Sequence, residues 1–324
     1  MAASSVAPLA QLAGLPASLP CLVFAHPNRN ILTAAASTLP SMPAHMIDGK
    51  ALAAKVRDEV AEEVESLGDV GLATVLVGDD PASHVYITGK HKAATSVGIH
   101  PNDLRLPADT PEDELLQVLA ELNADDAVDG ILVQLPLPSH LDEARVIEAI
   151  DPAKDIDGLH PVNAGSLYLG RPRLVPGTPL GIMRMLAEHD IETVGARAVV
   201  VGRSAIVGKP MAHLLLQANA TVTVCHSRTV DLQRHTLDAD ILVAAVGQLH
   251  VIGADMVQAG STVIDVGMNR TEDGLFGDVD PDAAELAAYM TPVPGGVGPM
   301  TIAMVLKNTV TAARSRRGLV SGVS

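Results

Sequence analysis

No tryptophan occurs among the 324 residues, and Phe, Tyr and Trp together make up 2% of them. The core must therefore be packed from Ala, Val, Leu, Ile and Met, and a hydrophobic content of 48% leaves ample material for it. Basic residues are scarce as well, with 22 Lys and Arg against 38 Asp and Glu and a formal net charge of −16. That balance argues against nucleic acid or an anionic membrane as a bulk partner, because both demand basic surface. A small anionic ligand would need a local basic pocket. The two cysteines, Cys21 and Cys225, are too few for a disulfide framework and lack metal-ligand spacing, which points to a reducing cytoplasm and to no metal site. The length suits two domains.

What is present divides at about residue 45. Residues 1–45 hold Arg29 as their only Lys or Arg, no acidic residue and six prolines, and are read as an irregular extension without an assigned function. Prolines interrupt any run long enough to cross a membrane. From Met46 onward strands and helices alternate. Leu52, Val56, Val60 and Val64 mark an amphipathic helix, and an apolar strand covers 72–77. Helices follow over 81–97 and 111–122, a strand over 130–138, a helix over 141–150 and the irregular stretch 151–165. After a helix opened by Thr178 and Pro179, strands are expected at 198–201, 221–225, 241–246 and 262–266, and a long helix at 299–316. Repeated βα units with apolar strands imply parallel sheets covered on both faces, hence an α/β protein with two lobes.

The stretch AVVVGRSAIVGKPMAHLLL, residues 198–216, runs from strand through a glycine turn into a helix. That order offers backbone N–H groups and a helix N-terminus to an anion, usually a nucleotide phosphate. Its glycines, Gly202 and Gly208, do not form G-x-G-x-x-G, so the residues around them must identify the nucleotide. In a dinucleotide fold an acidic residue closing the second strand favours NAD. Here that strand ends in Cys225, His226, Ser227 and Arg228, and Arg203 lies in the turn. Guanidinium suits a 2′-phosphate, so NADP is favoured, although a lone arginine is more often only a solvated charge.

The first lobe carries Tyr86 and Lys90 four apart on one helix face, Gln134 at a strand's carboxyl end, and Asp155 and Asp157 in the loop beyond it. Taken singly, each has a duller reading: core packing, a solvated charge, a strand-end hydrogen bond, a turn former. The two aspartates could suggest a metal, but no third ligand at suitable spacing supports one.

Six ordered strings supply the missing weight: VGDDPASHVYITGKHKA (77–93), GILVQLPLP (130–138), DPAKDIDGLHPVNAG (151–165), VGRSAIVGKPMA (201–212), DVGMN (265–269) and TPVPGGVGPMT (291–301). Over about residues 46–315 the chain resembles the bifunctional methylenetetrahydrofolate dehydrogenase/methenyltetrahydrofolate cyclohydrolases. The resemblance implies a folate-binding α/β domain over 46–177, completed by a C-terminal helix over 299–317, and a Rossmann-type NADP-binding domain over 178–298, with a cleft between them. It implies oxidation of 5,10-methylenetetrahydrofolate with NADP, followed by hydrolysis of the methenyl product to 10-formyltetrahydrofolate. It places Lys90 at the catalytic lysine, Gln134 at the glutamine that positions it, Tyr86 at the aromatic that stacks on folate, and Asp157 at the carboxylate that grips the pterin. Gly202, Arg203, Ser204, Ser227 and Met268 would bind NADP, joined by Arg228 from the reading above. Val133, Leu135, Pro294, Gly295, Gly296, Val297 and Gly298 would line the folate site. A homodimer is likewise implied. The chain departs from the usual pattern at Gly177, where cysteine is common and where glycine is expected to loosen the backbone between the lobes, at Ala205, where asparagine is common, and at His84, where glutamine is frequent. The rival readings are a dehydrogenase without cyclohydrolase activity, which Lys90 and Gln134 argue against, and a silent NADP- or folate-binding regulator, which would be expected to have lost Lys90, Asp157 or the glycine loop.

Overall fold

The computed structural model describes residues 43–79 and 81–319, with only the backbone for 81–86. The extension up to residue 42, and Cys21 with it, lies outside the described residues. A two-residue strand, β1 (His45–Met46), leads into α1 (Gly49–Leu67). Asp48 caps that helix, its Oδ1 accepting from the Lys50 and Ala51 N–H groups, both at 3.0 Å. Leu52, Val56, Val60 and Val64 form the buried stripe that their spacing predicts.

β2 (Val70–Val77) is buried along its whole length because it is the middle strand of a three-stranded parallel sheet, ordered β3-β2-β4. α2 (Pro81–Ser96) follows it and leads to β3 (Ile99–Leu106). The sequence reading assigns no strand there. Pro101, Asn102 and Asp103 all read against one, and an edge position with alternating exposure tolerates them. α3 (Glu112–Ala124) precedes β4 (Gly130–Val133), which is shorter than the 130–138 expected. α4 (Glu143–Glu148) comes next. α5 (Pro161–Tyr168) falls partly inside the stretch read as irregular; Pro161 opens it and the His160 ring caps it by accepting from the Val162 N–H at 3.1 Å.

α6 (Gly177–Glu188) leads into the second sheet. β5 (Arg197–Val201), α7 (Gly208–Gln217), β6 (Thr221–Cys225), α8 (Leu232–Thr236), β7 (Ile241–Ala244) and β8 (Thr262–Asp265) follow in order. A small antiparallel hairpin, β9 (Asn269–Thr271) with β10 (Gly274–Phe276), precedes β11 (Tyr289–Met290). The large sheet is parallel, with six strands in the order β1-β11-β8-β7-β5-β6. From β5 the chain turns one way to β6 and the other way to β7. That reversal is the switch point at which ligands gather outside the strands' carboxyl ends.

α9 (Val297–Arg316) starts two residues before the expected Pro299 and packs on both α1 and α6. Ala303, Leu306 and Val310 on it, and Ile182 and Met185 on α6, are fully buried in one continuous apolar cluster with α1. Burying each large aliphatic side chain favours the folded state by roughly 1.5–3 kcal/mol. The Asn308 Nδ2 donates to the Ile156 and Val175 carbonyls at 2.7 and 2.8 Å, tying α9 to the two loops beside the first sheet.

Candidate active site and nucleotide cavity

The loop 151–157 is set by two buried side chains. Lys154 is 1% exposed and its ammonium donates to the Leu122, Asn123 and Asp125 carbonyls at 2.7–2.9 Å, closing the end of α3. Asp155, also 1% exposed, accepts from the His160 N–H at 2.8 Å and the Asn163 Nδ2 at 2.9 Å. Asp155 is thus occupied in holding the loop, and Asp157 is left to line a cavity. Lys154 is marked by no local pattern, because its partners lie about 30 residues earlier in the sequence.

That cavity, of about 190 Å³, collects Lys90 from α2, Val133, Gln134 and Leu135 from the end of β4, and Asp157. The Lys90 Nζ donates to the Gln134 Oε1 at 3.2 Å. The Gln134 Nε2 donates to the Leu135 carbonyl at 2.7 Å, which fixes the amide so that its oxygen faces the lysine. Burial pushes the Lys90 ammonium below its ordinary pKa, opposed by the charge of Asp157. Burial pushes the Asp157 carboxyl up to about 6, with Lys90 pulling it down and Asp155 adding to the rise. A lysine and a carboxylate driven toward each other in pKa inside a cleft make this cavity a candidate acid–base site. The Tyr86 side chain lies outside the described residues; its backbone belongs to α2.

Several lining residues had no signal of their own in the sequence. Thr178 and Thr301 share a hydrogen bond at 2.8 Å on the cavity wall. Ile206 reaches the same wall from the glycine turn, so the nucleotide segment and Lys90 border one space. Gly177, expected to loosen the backbone, is buried at the start of α6, where a Cβ would stand 3.1 Å from the Thr301 carbonyl and 3.4 Å from Val305. Its lack of a side chain lets α6 approach α9 closely.

Pro294, Gly295, Gly296, Val297 and Gly298 line a second cavity of about 230 Å³, together with Lys50, Met268 and Ile302. Gly49 lets α1 reach this loop, because a Cβ there would stand 1.8 Å from the Gly296 carbonyl.

A third cavity, of about 290 Å³, lies at the switch point and is lined by Gly202, Arg203, Ser204, His226, Ser227, Val246 and Gln248, among others. Arg228 stands beside it, its N–H donating to the His226 Nδ1 at 3.1 Å. Gly202 has φ +131°, and a Cβ there would stand 2.2 Å from the Ala245 carbonyl. The Ser204 Oγ accepts from the Val207 and Gly208 N–H groups at 3.2 and 3.3 Å. The start of α7 is therefore already capped from within, and its first N–H groups are less available to a phosphate than the sequence pattern suggests. No carboxylate lines this cavity, and Arg203 and Arg228 are exposed with no acidic partner among the described residues. In a chain of net charge −16, an acid-free cavity flanked by two unpaired guanidinium groups fits a phosphorylated nucleotide.

A parallel sheet with an acid-free cavity at its switch point, together with a cleft lined by a lysine and a carboxylate, places the chain in the α/β class and suits a nucleotide-dependent enzyme. The comparisons make this specific. Residues 47–157 match the tetrahydrofolate dehydrogenase/cyclohydrolase catalytic domain, and residues 176–317 match the NAD(P)-binding domain of the same family. The bifunctional protein FolD of Lactococcus lactis subsp. cremoris is 54% identical over 275 residues, covering 83% of this chain and 96% of that one. The crystal structure of the bifunctional FolD enzyme of Campylobacter jejuni superposes with a TM-score of 0.83 at 46% identity, covering 84% and 99% of the two chains. The Trypanosoma brucei enzyme, solved with NADP and an inhibitor, gives a TM-score of 0.81 at 39% identity, with coverage of 86% and 100%.

The chain belongs to the tetrahydrofolate dehydrogenase/cyclohydrolase family. It is an NADP-dependent bifunctional enzyme of one-carbon metabolism, which oxidises 5,10-methylenetetrahydrofolate to the methenyl form and hydrolyses that to 10-formyltetrahydrofolate.

Proposed function

We propose that Lys90, positioned by Gln134, is the base of the hydrolytic step, that Asp157 grips the pterin, and that Tyr86 stacks on the folate. The observation that carries this reading is the Lys90–Gln134 hydrogen bond inside a cavity shared with Asp157. A lysine acts as a base only when neutral, and the desolvation that lowers its pKa moves it that way; a bound methenyl cation would move it further. Donating one N–H to Gln134 leaves the Lys90 lone pair free to take a proton from the water that attacks the methenyl carbon. A C–O bond forms, the bond from that carbon to N5 breaks, and N5 ends protonated. Asp157 as a carboxylate can accept from the two adjacent donors of the pterin, its amino group and ring N–H. Val133, Leu135, Pro294, Gly295, Gly296, Val297 and Gly298 would line the rest of the folate path.

Gly202, Arg203, Ser204, Ser227, Arg228 and Met268 would hold NADP, with Arg203, Ser227 and Arg228 toward its 2′-phosphate. Bound there, NADP supplies the hydride acceptor for the first step. The chain then has no proton to move, because the nitrogen lone pair beside the oxidised carbon stabilises the iminium product. Residues 46–177 with the returning helix 299–317 would form the folate domain, and 178–298 the nucleotide domain. Family membership supports a homodimer, and the sparse cysteines support a cytoplasmic setting; no helix among the described residues is long and apolar enough to cross a membrane.

The assay that tests the cofactor reading compares NADP with NAD at equal concentration on methylenetetrahydrofolate. Reduction of NADP is expected to be much faster, and equal rates would remove the role given to Arg203 and Arg228. The pH dependence tests Asp157. Its raised pKa means that the carboxylate is gained only as pH rises through about 6. The folate KM is therefore expected to fall by about tenfold between pH 5 and pH 7, following the ionised fraction. Asp157→Asn should abolish that slope, and a slope that persists in this variant would assign it to another group.

A further inference from the structure

We infer that Asp278, which is not itself among the residues lining the third cavity, is the positioning residue that shapes the nucleotide cavity. It is fully buried. One carboxylate gathers three consecutive backbone donors: its Oδ2 accepts from the Val246 and Gly247 N–H groups at 2.7 and 3.0 Å, and its Oδ1 accepts from Gln248 at 2.9 Å. Val246 and Gln248 line the cavity, and the same loop brings the Ala245 carbonyl against Gly202. Three successive N–H groups can converge on one side chain only if the loop curls around it, so the carboxylate fixes how far the end of β7 stands from the glycine turn of β5. A fourth donor, the Asn269 Nδ2 at 3.0 Å, ties in the residue after Met268.

Asp278 is held in turn by Asp265, whose Oδ1 accepts from the Asp278 and Gly267 N–H groups at 2.9 and 2.8 Å. The two carboxylates thus join the ends of β7 and β8. The arrangement matches the work of a charged acceptor, since bonds to an ionised group are the strong ones and a buried donor left without its acceptor is costly.

The inference rests on the third cavity being the NADP site, and the experiment separates the two claims. In Asp278→Asn an NH₂ replaces one acceptor oxygen and faces backbone donors, so the loop must open. The KM for NADP is expected to rise by about tenfold or more, while the cyclohydrolase rate, which needs no nucleotide, stays within about twofold. Arg203→Ala is measured beside it. An NADP KM raised by Arg203→Ala and unchanged in Asp278→Asn overturns the inference and leaves the site reading intact. No change in either variant overturns the site reading. A parallel fall in cyclohydrolase activity makes Asp278 a support of the whole fold and also overturns the inference. Should Asp278→Asn fail to fold, Asn269→Ala removes one donor from the same carboxylate and must still raise the NADP KM selectively, or the inference falls.

Discussion

Lys90→Met is expected to lower the cyclohydrolase rate by about 10³-fold, within the usual contribution of a general base, and to leave most of the hydride transfer in place. Methionine fills similar space, so the cavity walls made by Val133, Leu135 and Val305 keep their contacts. What disappears is the lone pair proposed to take the proton of water, together with the donor that Gln134 receives at 3.2 Å. The oxidation requires no proton acceptor, so its loss should be limited to the binding that Lys90 supplies. Both steps can be followed by absorbance on one sample, first with methylenetetrahydrofolate and NADP and then with methenyltetrahydrofolate alone. Equal loss of the two activities would show that Lys90 serves substrate binding or folding and not base catalysis.

The second large effect is expected from the other sheet. Gly202→Ala places a Cβ 2.2 Å from the Ala245 carbonyl at a residue whose φ is +131°. Overpacking costs about 1–3 kcal/mol, and a side chain in a sparsely populated backbone region costs roughly another 1–3. Relief requires β5 and β7 to part at the nucleotide cavity. The kcat/KM for NADP should therefore drop by about 100-fold or more, the equivalent of nearly 3 kcal/mol. Cyclohydrolase activity should stay within a few-fold, because the residues proposed for it, Lys90, Gln134 and Asp157, come from α2, the end of β4 and the loop beyond it. Steady-state kinetics of each reaction decide the matter. An unchanged NADP KM would remove this turn from the cofactor site, and matched losses would make Gly202 a requirement of folding alone.

The two sheets and the long helices were legible because buried strands read as apolar runs and α1 shows its stripe of Leu52, Val56, Val60 and Val64. β3 was hidden because Pro101, Asn102 and Asp103 obey the tolerance of an edge strand and carry no strand propensity. α5 was hidden because the whole helix, Pro161 included, is only eight residues long. At the site, the resemblance located Lys90 and Gln134, but their pairing spans 44 positions and could be established only in three dimensions. The same holds for Lys154, whose partners lie about 30 residues earlier, and for Asp278, which collects donors about as far upstream. Buried charges of this kind are specified by where distant backbone groups end up, and no local period reports that.

The first and last elements of the described chain are partners. β1 pairs with β11, and Glu63 on α1 meets Lys307 on α9 across 244 residues. On a ribosome adding about 5–20 residues per second, the earliest-made strand and helix wait roughly 10–50 s for the segments that cover them. Until then the stripe of α1 is bare and the six-stranded sheet lacks its edge. Shielding of that exposed apolar stripe during synthesis therefore bears on the yield of active enzyme.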